Sequence, residues 1–173
     1  RGPLGVSAPR AAALGSWTVP DFDLAQQTTI SAPPATVHAL IDDFHEWVAW
    51  SPWEGSDPDL SRTYGGPDRG VGATYAWSGN RKSGQGRMEI TGSTDREIRI
   101  RLDFVKPFKA SNDVTFTVRP EGSSTAVTWR MSGRRSRLMA AMNTVFHFDR
   151  MIGRDFATGL RQLKEQAEAR TAG

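Results

Sequence analysis

A long helical period near the C-terminus is the feature that most constrains how this chain can fold. Between about residue 132 and residue 168, apolar residues recur in uninterrupted steps of three and four, which places them on one stripe of an α-helix. They are Leu138, Met142, Val145, Phe148, Ile152, Phe156, Leu160 and Leu163. Because short strand-like segments precede this stretch, its stripe must pack against the sheet that they form. Gly153 interrupts the helix formers and is interpreted as a bend or a close approach.

Alternating apolar and polar residues predict six or seven strands upstream of this helix. The clearest row, Ile98, Ile100, Leu102 and Phe104, alternates with charged residues, as in an antiparallel sheet with one dry and one wet face. The glycine-rich segment 65–72 lacks the pattern of a phosphate-binding loop, so we interpret it as a turn between two strands. Short turns between the segments indicate a meander.

Two short helices are expected after the first strand. Pro33 and Pro34 end that strand, and the helical spacing of the apolar residues that follow predicts a helix over 34–44, with a further turn or two over 45–50. Three tryptophans recur at every third residue in this region, which gathers their indoles on one side of a helical turn. They are Trp47, Trp50 and Trp53. They either close one end of the domain or line the mouth of a cavity, because indole combines an apolar face with one N–H donor.

The composition fits one domain with a substantial apolar core. The chain has 173 residues, of which 38% are hydrophobic, and no cysteine, which excludes disulfides and cysteine metal ligands. The formal net charge is +3, and two of the basic residues, Arg1 and Arg10, lie in the N-terminal tail. This weak excess argues against a nucleic-acid partner. No stretch reaches the roughly 20 apolar residues of a membrane span.

Residues 1–16 are rich in Gly, Pro and Ala and show no apolar period. We expect them to be a disordered tail or a remnant of protein expression, and we expect residues 17–170 to form the single domain. As the chain stands, the expected location is the cytoplasm and the expected state is a monomer. Contact with a membrane, or a hydrophobic anchor in a longer form of the protein, is the alternative.

Six segments follow one another in a specific order and spacing: ISAPPATVHALIDDFHEWVAWSPWE, GVGATYAW, GRMEI, RIRLDFVKPF, TAVTWRMSG and MIGRDFATGLRQLKE. Together they resemble the polyketide cyclase/dehydrase group of the START-related superfamily, the SRPBCC proteins, over nearly the whole chain. The resemblance implies an α+β helix-grip fold. In this fold a strongly bent antiparallel sheet of six to seven strands wraps around the long C-terminal helix and leaves a cavity between them. One fold hosts many functions, so the function has to be inferred from the site.

With that fold, strand parity predicts which side chains face the cavity and bind its ligand. The sheet contributes Tyr75, Trp77, Met88, Leu102, Phe104, Asn112, Val114, Phe116, Trp129 and Met131, and the helix contributes Met142, Val145 and Phe146. Flexible methionines among aromatic rings suit an adaptable apolar pocket. A filled core without any cavity is the alternative. The favoured function is the binding or carrying of a hydrophobic small molecule, such as a lipid, an isoprenoid or a polyketide, without a cofactor.

Catalytic candidates are few, so no catalytic residue and no metal site is assigned. The histidines are spread over two helical regions without partners at metal-ligand spacing; they are His38, His45 and His147. The acidic residues are interpreted as solvated or loop-capping groups: Asp42, Asp43, Glu46, Asp149 and Asp155. A basic cluster near the helix start is interpreted as solvated, with an acidic ligand as the alternative: Arg130, Arg134, Arg135 and Arg137. A cofactor-free cyclase or dehydratase and a protein-interaction module using the three tryptophans or the basic cluster are the other two functions considered.

Overall fold

A computed structural model of the protein describes residues 22–134 and 147–173. The predicted tail at 1–16 and the predicted cavity residues Met142, Val145 and Phe146 lie outside the described residues. The described part contains seven strands and two α-helices: β1 (Phe22–Ile30), α1 (Pro34–Ile41), β2 (Ser61–Gly65), β3 (Thr74–Ser78), β4 (Gln85–Thr94), β5 (Glu97–Lys106), β6 (Ala110–Glu121), β7 (Ser124–Gly133) and α2 (Phe148–Ala172). A short 3₁₀ helix, Glu46–Ala49, follows α1.

All seven strands form one antiparallel sheet in the order β1-β7-β6-β5-β4-β3-β2. Strands β2 to β7 are a meander, and β1 is added beside the last strand. Shifts of register next to Gly86 and Gly92 interrupt the pairing of β4 with β5, and irregularities of this kind bend a strand and increase its twist. The arrangement confirms the predicted α+β helix-grip fold.

The end of α1 explains the position of two of the three tryptophans. The helix ends at Ile41 rather than near the predicted residue 44. The indole N–H of Trp47 donates to the Ile41 carbonyl, and that of Trp50 donates to the Leu40 carbonyl, each at 2.9 Å. These bonds satisfy carbonyls that lose their helical partners where the helix stops. Both rings are therefore buried as part of the core.

The C-terminal helix begins later than the sequence predicts. The predicted start at residue 132 is wrong, because Ser132 and Gly133 are the last residues of β7 and pair with β6 on one side and β1 on the other. His147 has a left-handed backbone with φ of 52°, so a regular α-helix cannot run through it into Phe148. An apolar stripe with steps of three and four gives no sign of either feature, so the stripe alone does not show where the helix begins.

The helix α2 approaches Trp129 and Pro52 closely at Gly159, which has no side chain. A Cβ at Gly159 would lie 2.7 Å from the Trp129 ring and 2.9 Å from Pro52, so only glycine allows this approach. A Cβ at Gly153 would meet its nearest neighbour, the Gln26 amide nitrogen, at an ordinary 3.6 Å. The close approach that we expected at Gly153 is therefore at Gly159.

Candidate functional site

A cavity of about 400 Å³ opens between the inner face of the sheet and the first turns of α2. It lies near one end of the strands. At this end β3, β5 and β7 finish and β1, β4 and β6 begin, as the pairing shows. Its walls are mainly apolar and aromatic: Phe22, Trp47, Trp53, Leu60, Tyr75, Trp77, Met88, Leu102, Phe104, Met131, Phe148, Met151 and Ile152. Concave apolar spaces with a few polar groups are the usual form of small-molecule sites.

The structure brings together seven of the side chains that parity placed on the cavity wall. They are Tyr75, Trp77, Met88, Leu102, Phe104, Asn112 and Met131. Three others share their face of the sheet but do not line the cavity, because they are packed into the core: Val114, Phe116 and Trp129. That any of these side chains contacts a ligand stays a prediction.

Tyr75, Trp77 and Phe104 form a row of aromatic rings on the sheet side of the cavity, and Tyr64 continues this row beyond the residues that line it. The Tyr64 and Tyr75 ring centroids are 5.4 Å apart, and Tyr75 stacks on Trp77 at 6.1 Å. Trp77 meets Phe104 edge to face at 5.8 Å and donates its indole N–H to the Ser83 carbonyl at 3.0 Å. Contacts of this kind hold rings in fixed positions. The cavity wall is therefore built from mutually supported side chains.

Glu54 supplies a charged group to this apolar wall. Its side chain is 12% exposed, lines the cavity and is ion-paired with Arg62 of β2. Arg62 Nε donates to Glu54 Oε1 at 3.4 Å, and Arg62 Nη2 donates to Oε2. The hydroxyl of Tyr75, which also lines the cavity, donates to Glu54 Oε1 at 3.3 Å. Sequence reasoning missed Glu54, because its partners lie on β2 and β3 and only its position next to Trp53 hinted at the cavity.

The environment keeps Tyr75 protonated. Burial, and next the negative charge of Glu54, raise the pKa of Tyr75 far above its ordinary value. The same two causes raise the pKa of Tyr64, and the hydrogen bond with Glu54 raises the pKa of Arg62. At neutral pH the Tyr75 phenol is therefore protonated, and it lies beside the ion pair of Glu54 with Arg62.

Charged side chains also surround the mouth of the cavity. Four exposed basic residues line it: Lys82, Lys106, Lys109 and Arg134. Asp155 of α2 lines the cavity and accepts a hydrogen bond from the Trp53 indole at 3.3 Å. Asp155 is half-buried, and its partner Trp53 belongs to a loop, so the expectation that Asp155 faces solvent or caps a loop is compatible with its place at the cavity. Asp42 departs from its predicted solvated state, because it is buried and accepts a hydrogen bond from Ser93 Oγ at 2.7 Å.

The three tryptophans divide between the two roles considered for them. Trp50 is part of the core, Trp47 is buried and also borders the cavity, and Trp53 is 42% exposed at the cavity. The hypothesis of a protein interface formed by all three tryptophans is therefore wrong, because two of them are buried. In the basic cluster, Arg130 is paired with Asp23, whereas Arg135 and Arg137 lie outside the described residues.

The histidines do not contribute to the cavity wall. His38 Nε2 bonds to the Thr94 carbonyl at 2.9 Å, His45 Nδ1 bonds to Asp43 at 2.8 Å, and His147 is exposed just before α2. In the part of the chain that the structure describes, no three His, Cys, Asp or Glu side chains are grouped to hold a metal ion. Within the same residues, none of the helices has the length and apolarity needed to cross a bilayer.

The fold is shared with solved structures of low sequence identity. A protein of Chromobacterium violaceum is 15% identical with a TM-score of 0.58, and the match covers 84% of this chain and 96% of that one. For a protein of Thermus thermophilus the identity is 15% and the TM-score 0.59, over 86% and 99% of the two chains. For the di-domain ARO/CYC protein StfQ from the steffimycin biosynthetic pathway, the identity is 10% and the TM-score 0.65, over 88% of this chain and 52% of StfQ.

At these identities the likeness shows the fold alone. No curated protein matches the sequence. A family model described as polyketide cyclase/dehydrase and lipid transport matches residues 21–168, which is most of the chain. This match agrees with the bent seven-stranded sheet, the C-terminal helix and the cavity between them. The chain belongs to the polyketide cyclase/dehydrase and lipid transport family of SRPBCC-type proteins.

Proposed function

We propose that the protein binds a hydrophobic small molecule in the cavity between the sheet and α2. Membership of the family supports hydrophobic-ligand binding or cyclase chemistry at the family level. The observation that carries the proposal is the apolar cavity of about 400 Å³. Protein interiors are normally close-packed, and each large apolar side chain that is fully buried stabilises a fold by about 1.5–3 kcal/mol. An unfilled apolar space forgoes such contacts, and a bound apolar ligand restores them.

The test is a titration with a panel of lipids, isoprenoids and aromatic polyketides, followed by native mass spectrometry and by chemical shifts of the cavity residues. Ala110→Trp places a large ring in the cavity wall and is expected to lower affinity at least tenfold. Val71→Trp is the matched control, because Val71 is 59% exposed and does not line the cavity. The absence of binding across the panel, or equal binding by both variants, contradicts the proposal.

A second candidate function is that of a cofactor-free cyclase or dehydratase, and the pair formed by Glu54 and Tyr75 inside the cavity favours it. In this reaction Glu54 accepts a proton from a carbon next to a carbonyl and returns it to the departing hydroxyl group, which leaves as water, while the Tyr75 hydroxyl stays hydrogen-bonded to Glu54. Incubation with a poly-β-keto thioester analogue, followed by mass spectrometry for the loss of water, tests it. Glu54→Gln is expected to abolish turnover, whereas Glu46→Gln, which alters a surface pair with Arg170, is expected to preserve it.

A further inference from the structure

We propose that Glu54, Arg62 and Tyr75 form a hydroxyl-binding end of the cavity, so that the preferred ligand is a neutral apolar molecule carrying a hydroxyl group. This inference rests on the proposed binding function and specifies the chemistry of its ligand. It concerns three side chains that meet from a loop, β2 and β3, and two of them, Glu54 and Tyr75, line the cavity.

In the two members of the cluster that line the cavity, Glu54 and Tyr75, the hydrogen-bonding capacity left open is for accepting. A carboxylate offers about four lone-pair positions, and Glu54 receives bonds from Arg62 Nε, Arg62 Nη2 and the Tyr75 hydroxyl. Tyr75 gives its single hydroxyl proton to Glu54, so its oxygen can only accept from a ligand. A ligand group that donates a hydrogen bond therefore complements this end of the cavity. A ketone or an ether leaves the acceptors unpaired, and buried unpaired polar groups are costly.

The charges of the cluster disfavour two kinds of charged ligand group, a carboxylate and an ammonium. A ligand carboxylate has no proton to donate to the Glu54 and Tyr75 oxygens, and it would lose its hydration next to an ion pair that is already complete. A ligand ammonium would lose its hydration, while the charge of Glu54 is already paired with Arg62. A hydroxyl has a proton to donate and no net charge, so it satisfies the acceptors at the lowest desolvation cost.

The position of the cluster orients such a ligand. Tyr75 lies three residues before the end of β3, whereas Lys106 is the last residue of β5 at the sheet edge. The Trp77 and Phe104 rings border the cavity between these two levels. A ligand whose hydroxyl reaches Glu54 therefore places its apolar body against these two rings. Aromatic faces suit an apolar body of this kind.

Isothermal titration of the purified protein at neutral pH with three matched probes tests the proposal. The probes are β-naphthol, its methyl ether and naphthalene, which share one ring system and differ in the donor. Naphthalene is smaller than the naphthol and the ether is larger, so size alone cannot produce a preference for the naphthol. We expect β-naphthol to bind at least about tenfold more tightly than either of the others, as a hydrogen bond to a charged group provides.

Variants assign this preference to the cluster. Glu54→Gln is expected to reduce the preference to within about threefold, because a neutral amide oxygen is a weaker acceptor than a carboxylate. Glu46→Gln is expected to keep it. Equal or tighter binding of the ether or naphthalene by the unmodified protein overturns the inference and leaves the binding function standing. Retention of the full preference by folded Glu54→Gln also overturns it. Failure of all three probes to bind also overturns the inference, whereas the proposed function is decided by the panel of lipids, isoprenoids and polyketides.

Discussion

One face of one sheet is filled at one end and hollow at the other. At the filled end, the Trp129 ring lies 4.1 Å from the Phe156 ring of α2 and 4.9 Å from the Phe116 ring, and all three are buried. At the hollow end, Trp77 and Phe104 are half-buried around the cavity. Both ends have the same alternation of apolar and polar residues. The difference depends on what covers the sheet, and not on the strands themselves.

The covering helix explains this contrast. Most of the buried residues of α2 lie in its middle and C-terminal parts and include Phe156, Leu160 and Leu163, whereas the one buried residue near its start, Gly153, has no side chain. Its first turns contribute Met151 and Ile152 to the cavity wall instead. The two ends thus differ in role. The filled end contributes most of the packing that stabilises the domain, and the hollow end leaves space for a ligand.

The largest difference is expected from removing one phenylalanine at each end. Phe156→Ala deletes a ring with no exposed surface from the filled end and should lower the free energy of unfolding by about 3–5 kcal/mol. Phe104→Ala removes a half-buried ring that already borders open space and should cost about 1–2 kcal/mol. Urea unfolding followed by circular dichroism measures both. Equal losses would contradict this difference between the ends.

A second comparison uses the two buried glycines of α2. Gly159→Ala forces a methyl group against Trp129 and Pro52 and should destabilise the protein by about 1–3 kcal/mol. Gly153→Ala meets only ordinary contacts and should stabilise it by up to about 1 kcal/mol, since alanine is the better helix former. Thermal unfolding of both variants measures the sign. Destabilisation by Gly153→Ala would show that tight packing extends to the first turns of α2.

At the hollow end, alkaline pH should weaken the fold through Tyr75. Its pKa in the folded state is raised, first by burial and then by Glu54, whereas in the unfolded chain it ionises at about pH 10. The stabilisation is therefore fully present below that pH and is lost as the pH rises above it. Urea unfolding between about pH 8 and about pH 11 should show this decline, and Tyr75→Phe should make it shallower. A decline that Tyr75→Phe leaves unchanged would contradict the assignment.

The smallest effect is expected at the far end of α2, beyond the filled core. Glu168 accepts from Lys164 Nζ at 2.7 Å and from the Ser31 N–H at 2.9 Å, and these bonds lower its pKa. The contribution is present above the pKa of the unfolded chain and is lost as the pH falls through the lower folded-state pKa. Glu168→Gln should therefore flatten the acid side of the stability profile slightly. A steeper acid side would contradict this sign.

The sequence predicts the elements well because their signals are local. Alternation identifies the strands, such as the row from Ile98 to Phe104, and the prolines with the apolar spacing identify α1. The same parity does not tell where along a strand space is left. Parity therefore places Phe116 and Trp129 on the cavity wall together with Phe104. In the structure Trp129 stacks on Phe156 of α2, and Phe116 packs against Trp47 and Trp50.

The missed features depend on contacts between distant segments. Glu54 enters the cavity because Arg62 and Tyr75 meet it from two strands, and no periodicity predicts such a meeting. The late start of α2 depends on the pairing of Gly133 with β1 and β6 and on the backbone of His147. The spacing of apolar residues predicts neither the strand pairing nor the left-handed backbone.

The aromatic row of the cavity gives the protein an internal optical reporter. Tyr64, Tyr75 and Trp77 follow one another at 5.4 and 6.1 Å, distances at which excited tyrosines pass their energy to a neighbouring indole. Light absorbed by either tyrosine should therefore be emitted in part by Trp77. An occupant that displaces water from that ring should shift the emission to shorter wavelengths. Occupancy of the cavity can thus be followed by intrinsic fluorescence, without a label.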